Sequence, residues 1–283
     1  MNNLRKLFED VKIDVIMNFL KEFMDEQLEE TMKFKPEQIV TLFDSFEELQ
    51  CAMILSGLKN SNLIIGIDFS RSNEWSAKMT YGRNMHTIDD KDPNPYMRVM
   101  EIMGRALIFP HHDQQIHVFG FGDKTTDDQA VFNLSSERNP FTTMKQAIEQ
   151  YKTITPSVTM NGPTSFIPII HKSIEMVKET RQHHILVIIC DGECNDIPAN
   201  IREIEEASQY PLSIIFVGVG DGPFGVLENL EQASSRGQFN NCSFVNFTKI
   251  TGGKTSHSDL VFACTAVNEL PEQIIHMKQL GYL

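Results

Sequence analysis

Four short runs of almost entirely apolar residues, rich in β-branched side chains, restrict the folds open to this chain. They read NLIIGID, IHVFGF, HILVIIC and LSIIFVGVG, in that order. Each is far shorter than the roughly 20 residues that cross a bilayer, so each indicates a buried strand. Strands that are apolar on both faces are typical of parallel sheets covered by helices on both sides.

Helical patterns separate these runs, which gives the alternation of strand and helix found in α/β domains. The predicted helices span residues 96–109, 141–154, 165–180, 201–210 and 224–234, and a strand at 244–247 and a helix at 272–280 follow. The sequence therefore predicts a doubly wound, mostly parallel sheet flanked by helices.

The first part of the chain has a different pattern. Apolar residues recur every three or four positions between residues 4 and 28, with charged residues between them, and this period predicts an amphipathic helix. Pro36 follows a charged tract and predicts the start of a second helix. We therefore expect a helical N-terminal extension over residues 1–57 and the α/β domain over residues 58–283.

Charge and cysteine content narrow the classes of function. The chain carries 25 Lys and Arg against 38 Asp and Glu, a formal net charge of −13, which opposes binding to nucleic acid or to anionic membranes. The N-terminus has no unbroken apolar stretch of the kind that a secretory signal needs. Five cysteines are an odd and sparse set that fits reduced thiols. We therefore expect a cytoplasmic protein with no disulfide framework and no direct membrane insertion.

Oxygen-bearing side chains follow the ends of two predicted strands. Asp68 ends the first apolar run, and Ser70 and Ser72 follow it. Asp191 follows the third apolar run, and Thr164 lies before the predicted helix at 165–180. Because functional side chains of such a sheet gather at the carboxyl ends of its strands, we expect these loops to converge. Carboxylate and hydroxyl oxygens suit Mg²⁺, Mn²⁺ or Ca²⁺. Taken singly, the same residues are also compatible with caps of turns and helices.

These residues carry a family resemblance. DFSRS at 68–72, GPTSF at 162–166 and the Asp191–Gly192 strand end resemble the metal-ion-dependent adhesion site of von Willebrand factor A domains. The resemblance to the copine subfamily runs from roughly Phe43 to the C-terminus, through the ordered segments IGIDFSRSNEW, NPYMRVMEIMGRAL, FGFGD, NGPTSFIPII, LVIICDGE, YPLSIIFVGVGDGPF, FVNF and LPEQIIHMKQLGYL. NEW and FGFGDKTTDDQAVF are most similar to the copine-like domain of plant RING-finger ubiquitin ligases.

The resemblance implies a role for each of the five residues. Asp68, Ser70 and Ser72 correspond to metal ligands of the first loop, Thr164 to a ligand in one state of the site, and Asp191 to a direct or water-mediated ligand. It implies an intracellular, non-enzymatic protein-binding module whose ion recruits an exposed Asp or Glu of a partner. It also implies that the C-terminal helix at 272–280 is a regulatory element.

Parts of the family's activity are not expected here. The first 57 residues are too few for a lipid-binding C2 domain, and no CxxC pair of a RING finger occurs in the 283 residues. We therefore do not carry over calcium-dependent membrane docking or ubiquitin transfer.

Two other functions remain open at this point. A Mg²⁺-dependent phosphohydrolase would use Asp68 as its nucleophile, although Ser70 stands where a second Asp is usual and no Lys is clearly placed to hold the phosphate. A scaffold that keeps the fold and has lost the metal site is the third interpretation.

Weaker signals surround the candidate site. Trp75, the only tryptophan, is either an exposed partner contact or a packed side chain, whereas Glu74 and Asp123 are candidate partner-facing residues whose default interpretation is a solvated charge.

Two segments partly match nucleotide-binding motifs. GDGPFG at 220–225 matches GxGxxG, but its context predicts a turn before a helix. TKITGGKT at 248–255 partly matches a phosphate-binding loop, but its context predicts a flexible surface connection. Cys190 is expected in the core, and the histidine pairs at 111–112 and 183–184 in loops or at strand edges.

Overall fold

The computed structural model describes residues 43–109, 114–134, 140–252 and 256–283. The predicted helix at 4–28 and the helix start at Pro36 lie outside these residues. The histidine pair at 111–112 and the Gly-Lys-Thr segment at 253–255 also lie outside them.

Six strands form one sheet in the described part of the chain. They are β1 (Asn62–Asp68), β2 (Ile116–Phe121), β3 (Phe132–Asn133), β4 (His184–Cys190), β5 (Leu212–Gly218) and β6 (Cys242–Asn246). Their order across the sheet is β3-β2-β1-β4-β5-β6, and every neighbouring pair is parallel except β2 with β3. The predicted fold class, a doubly wound and mostly parallel sheet flanked by helices, is confirmed.

Helices connect and cover these strands. They are α1 (Phe46–Leu55), α2 (Pro95–Leu107), α3 (Met144–Ile154), α4 (Ile167–Thr180), α5 (Ile197–Ala207), α6 (Gly225–Ser234), α7 (Phe247–Thr251), α8 (Ser256–Val267) and α9 (Leu270–Gln279). Their starts follow local chemistry: Asn94 caps α2 through a hydrogen bond from the Met97 N–H, and Pro95 occupies the first helical position.

Alternate residues of the central strands face two separate apolar layers. In β4, Ile185, Val187 and Ile189 pack in the layer that contains α2, α3, α8 and α9. Leu186 and Ile188 pack in the opposite layer with α4, α5 and α6. Because successive strand side chains point to opposite faces, both faces of the strand are buried, which explains its unbroken apolar sequence.

The structure differs from the sequence prediction at three places. The two-residue strand β3 and the helix α8 were not predicted. Residues 247–251 form the short helix α7, so the prediction of a flexible connection was wrong there; Asn246 Oδ1 accepts a hydrogen bond from the Lys249 N–H and caps this helix. None of the described helices is both long enough and apolar enough to cross a bilayer.

The strand order reverses between β1 and β4, and this reversal determines where the candidate site lies. From β1 the chain moves outward on one side to β2 and β3, and then returns past β1 to β4 on the other side. In doubly wound sheets, ligands bind in the crevice at the carboxyl ends of the strands at such a reversal. Asp68 ends β1 and Asp191 follows β4, so both carboxylates lie at this crevice.

Candidate metal centre

The loop after β1 brings three oxygen-bearing side chains together. Asp68 is fully buried, and its Oδ1 accepts a hydrogen bond from the Ser70 N–H at 2.8 Å. The hydroxyl oxygens of Ser70 and Ser72 lie 3.0 Å apart, and both residues are buried. A carboxylate that bonds to the backbone two residues on is an Asx turn, and here it orders the loop that carries both serines.

A glycine of the neighbouring strand end allows this loop to pack closely. Gly122 has a φ of +76°, and a Cβ there would lie 3.2 Å from the Ser70 nitrogen and 3.3 Å from Asp68 Oδ1. A side chain at this position would therefore press on the loop that holds the first three candidate ligands.

Asp191 completes a carboxylate pair with Asp68. It is 2% exposed; Ser76 donates a hydrogen bond to its Oδ2 at 2.9 Å, and the Glu193 N–H donates to its Oδ1 at 3.2 Å. Since β1 and β4 are adjacent parallel strands, their ends place the two acids on the same edge of the sheet.

Thr164 approaches the site through a third segment. It is 6% exposed, and its carbonyl accepts a hydrogen bond from the Asn195 N–H at 2.9 Å, which ties this segment to the loop after β4. Asn161 pairs with Ser70 in a parallel bridge, and its carbonyl accepts a hydrogen bond from the Arg71 N–H. The three segments that carry the five predicted residues are thus hydrogen-bonded to one another.

The two acids are arranged so that both cannot readily carry a charge. Burial, and then the negative charge of Asp191, raise the pKa of Asp68 from 3.8 to about 8, against the opposing effect of hydrogen bonds from Ser70. Asp68 Oδ2 is buried and has no hydrogen-bond partner. Within the described residues, neither acid forms an ion pair with Lys or Arg. The fold therefore brings two buried acids together without a basic partner among the described residues, and this environment favours the protonated form of Asp68.

A divalent cation fits this donor set. An unpartnered carboxylate oxygen, a second carboxylate and two adjacent hydroxyls are the hard oxygen donors that Mg²⁺, Mn²⁺ and Ca²⁺ prefer. Among the described residues, no three His, Cys, Asp or Glu side chains gather into a metal cluster, so this candidate site has two carboxylates and depends on hydroxyl oxygens for its other donors. The donor chemistry of the site thus matches a hard cation.

The predicted partner-facing residues differ in their exposure. Trp75 is 45% exposed, which favours the exposed alternative over the packed one. Glu74 is exposed, and its Oε2 lies 3.9 Å from Arg71 Nε. Asp123 is 4% exposed, and its carboxylate accepts hydrogen bonds from Thr125 and Thr126. The default interpretation of Asp123 as a solvated charge was therefore wrong, because the carboxylate closes its own turn.

The other sequence signals have structural roles. Residues 220–224 form the connection that precedes α6, as predicted for the GxGxxG match. Cys190 is fully buried in the core, and all five cysteines are free thiols. His183 and His184 lie at the start of β4 and are buried, with the imidazole of His183 between the hydroxyls of Ser61 and Ser213.

Sequence reasoning missed a layer of buried polar side chains beneath the first loop. His86, Asn73, Tyr96 and Tyr151 contact one another or the backbone of Asp68 and Ser70. Burial lowers the pKa of His86 to about 3, so its imidazole is neutral at cellular pH. Asn73 lies within the NEW tripeptide, whereas His86 belongs to no recognisable motif.

Solved structures with a similar fold include two with bound metal. Manganese-loaded TRAP protein of Plasmodium vivax is 12% identical, with a TM-score of 0.45 over 71% of this chain and 74% of that chain. Proximal thread matrix protein 1 of the mussel byssus, in a structure with a zinc-occupied MIDAS motif, is 18% identical, with a TM-score of 0.43 over 76% of this chain and 48% of that chain.

Curated sequence relatives have a higher sequence identity to this chain than these two solved structures. Copine family protein 2 of Caenorhabditis elegans is 38% identical over 248 residues, which are 85% of this chain and 3% of the relative. Copine family protein 1 of the same organism is 36% identical over 250 residues, 87% of this chain and 23% of the relative. E3 ubiquitin-protein ligase RGLG3 of Arabidopsis thaliana is 38% identical over 255 residues, 84% of this chain and 69% of the relative. The chain thus spans only a small part of the length of the two worm proteins.

The copine family model matches residues 84–283, which is well over half of the chain. Together with the RGLG3 match, this confirms the resemblance to copines and to the copine-like domain of the plant ligases. The chain belongs to the copine family.

Proposed function

We propose that this chain is a protein-interaction module that holds a divalent cation at a metal-ion-dependent adhesion site and catalyses no reaction. The observation that carries the proposal is the buried pair of Asp68 and Asp191, in which one Asp68 oxygen has no partner. Burying a charge is costly unless the charge is paired or coordinates a metal, so this arrangement favours a bound cation.

The residues of the chain have distinct parts in this proposal. Asp68 and Asp191 supply negative charge, Ser70 and Ser72 supply neutral oxygens, and Thr164 is a ligand in one state of the site. Mg²⁺ is the proposed ion, with Mn²⁺ or Ca²⁺ as alternatives. When bound, the ion would supply a positive charge and a coordination position for the carboxylate of an Asp or Glu in a partner protein. Mg²⁺ usually keeps several waters in protein sites. Replacing one of these waters by the partner's carboxylate would make partner binding dependent on the metal.

The partner is proposed to be a protein that carries an exposed acidic residue. Trp75 lies just after the first loop and is half-exposed, so it is a candidate anchor for apolar groups beside that acid. Glu74 lies on the same short turn and would repel partners with further acids nearby. The net charge of −13 disfavours nucleic acid, and free thiols fit the proposed cytoplasmic location.

Metal binding is tested by titration calorimetry with MgCl₂ and MnCl₂. We expect one ion per chain for the wild type, loss of binding in Asp68→Ala and weaker binding in Ser70→Ala and Ser72→Ala. Asp123→Asn is the matched control, because it alters a buried carboxylate that is already hydrogen-bonded to Thr125 and Thr126. Equal affinities across all of these variants would place the ion elsewhere or nowhere.

Partner recognition is tested with a displayed library of random peptides. Selection in Mg²⁺ with counter-selection in a chelator should enrich peptides with Asp or Glu at one fixed position, and Asp68→Ala should abolish the enrichment. A selected pool without acidic residues would contradict the proposal. Hydrolysis of p-nitrophenyl phosphate that is lost in Asp68→Asn would instead indicate a phosphohydrolase.

A further inference from the structure

A stacked group of aromatic rings lies directly beneath the first metal loop. The imidazole of His86 lies between Phe69 and Tyr96, with ring centroids 4.4 and 4.2 Å away and interplanar angles of 16° and 21°. All three residues are at most 4% exposed. The position of the His86 ring is therefore fixed by packing on both faces.

Hydrogen bonds fix the tautomer and the direction of His86. Its Nε2 lies 2.8 Å from the backbone carbonyl oxygen of Asp68. A carbonyl oxygen only accepts hydrogen bonds, so Nε2 carries the proton and Nδ1 accepts from the Tyr151 hydroxyl at 2.7 Å. Tyr151 in turn accepts a hydrogen bond from Asn94 Nδ2 at 3.1 Å. The chain from Asn94 to Asp68 contains only neutral groups, each with its partner.

A second path reaches the same loop through Asn73. The Tyr96 hydroxyl donates to Asn73 Oδ1 at 2.5 Å. Asn73 Nδ2 then lies 3.0 Å from the Ser70 carbonyl oxygen and 3.3 Å from both Ser70 Oγ and the Asp68 carbonyl oxygen. Both paths therefore end on Asp68 or Ser70, which are two of the proposed ligands.

We infer that His86 and Tyr96 are positioning residues that hold Asp68 and Ser70 in the ligating arrangement before an ion arrives. This inference rests on the proposed function, because it assigns the network a purpose in ion binding. A loop that is already ordered loses little conformational entropy on binding, so affinity is higher than for a mobile loop. Removing one of these buried hydrogen bonds is therefore expected to weaken ion binding by roughly two- to tenfold.

The test compares Mn²⁺ affinity in variants that change single groups of the network. Tyr96→Phe removes only the hydroxyl that orients Asn73, and it is expected to weaken Mn²⁺ binding about fivefold. His86→Leu removes the donor to the Asp68 carbonyl and should weaken binding at least as much. His86→Gln retains an amide N–H near the position of Nε2 and should restore most of the affinity.

A control on the same helix separates positioning from loss of stability. Val99 is fully buried in α2 and touches neither the loop nor the network through a hydrogen bond, so Val99→Ala should lower the melting temperature and leave Mn²⁺ affinity unchanged. Equal Mn²⁺ affinity in wild type, Tyr96→Phe and His86→Leu would overturn the inference. A loss of affinity in Val99→Ala as large as in Tyr96→Phe would also overturn it.

Hydrogen exchange of the metal-free protein gives a readout that needs no ion. The amide of Ser70 is bonded to Asp68 Oδ1 and that of Asn73 to the Ser70 carbonyl. Both amides should exchange faster in Tyr96→Phe than in wild type, whereas core amides of β4 should not change. If the wild type binds no Mn²⁺, the proposed function fails, and unchanged exchange at these two amides would overturn the positioning role separately.

Discussion

Replacing Asp68 by asparagine should make the metal-free protein more stable. The substitution keeps the shape of the side chain and removes the charge that burial and Asp191 oppose. In the folded protein this carboxyl has a pKa of about 8, whereas its ordinary value is 3.8. An acid whose pKa is raised by folding destabilises the protein as the pH rises from the ordinary value to the raised one, so about three quarters of the cost is present at pH 7.

The magnitude follows from the same two values. Between pH 3.8 and pH 7, each pH unit costs about 1.4 kcal/mol, which gives a ceiling of about 4 kcal/mol for the neutral variant. The new amide N–H₂ replaces an oxygen that has no partner, and leaving it unpaired costs about 2 kcal/mol. The net gain is therefore about 2 kcal/mol, or roughly 4–8 °C in melting temperature for a chain of this size.

The assay is thermal unfolding at pH 7 in a chelator and in MgCl₂. An ion at 100 times its dissociation constant should stabilise the wild type by about 2.7 kcal/mol, and it should leave Asp68→Asn unchanged. The order of stability in chelator, variant above wild type, is thus expected to approach equality or reverse in Mg²⁺.

Asp123→Asn is the matched control for the Asp68→Asn experiment. Asp123→Asn loses good hydrogen bonds, so it should be less stable than wild type and still gain from Mg²⁺. An Asp68→Asn protein that is less stable than wild type in chelator would show that burial of the Asp68 carboxylate does not destabilise the metal-free protein. An equal Mg²⁺ gain in both proteins would show that Asp68 is not a ligand.

Two further predictions concern the fold itself. Gly104→Ala should destabilise the protein by about 1–3 kcal/mol in urea unfolding, because the new Cβ would lie 2.8 Å from Met144, whereas Gly225→Ala, with open space around it, should not destabilise it; similar losses in both would refute the packing argument. Burial lowers the pKa of His183 to about 3, so protonation of the unfolded chain should cost about 2 kcal/mol of stability between pH 7.5 and pH 5. His183→Gln should remove that part of the acid sensitivity, and an unchanged pH profile would contradict it.

The parts of the fold that were predictable have a strong local signal. The buried strands are unbroken β-branched runs, and β1 and β4 have the lengths and order that such runs indicate. Helix α8 has no comparable signal, because most of its described residues from Leu260 to Val267 are buried and no polar stripe marks a period. Strand β3 has two residues, too few to form any pattern.

The candidate site divides in the same way. Asp68 and Asp191 were predicted to lie together because each follows a parallel strand, and the topology alone brings their ends to one edge. The contact of His86 with Asp68 spans 18 residues and that of Tyr96 with Asn73 spans 23, and no spacing in the sequence signals that these side chains meet. Such contacts depend on how α2 packs against the sheet, which no local pattern in the chain encodes.

In the proposed site, oxygens of Asp68, Ser70, Ser72 and Asp191 surround one cation. The most direct measurement is anomalous diffraction from crystals grown in MnCl₂, with data collected on both sides of the manganese absorption edge. We predict a single strong anomalous peak per chain within coordination distance of these four side chains, and its loss in crystals of Asp68→Ala. A manganese-soaked crystal with no peak there, and with the four side chains arranged as in the metal-free protein, would contradict the account.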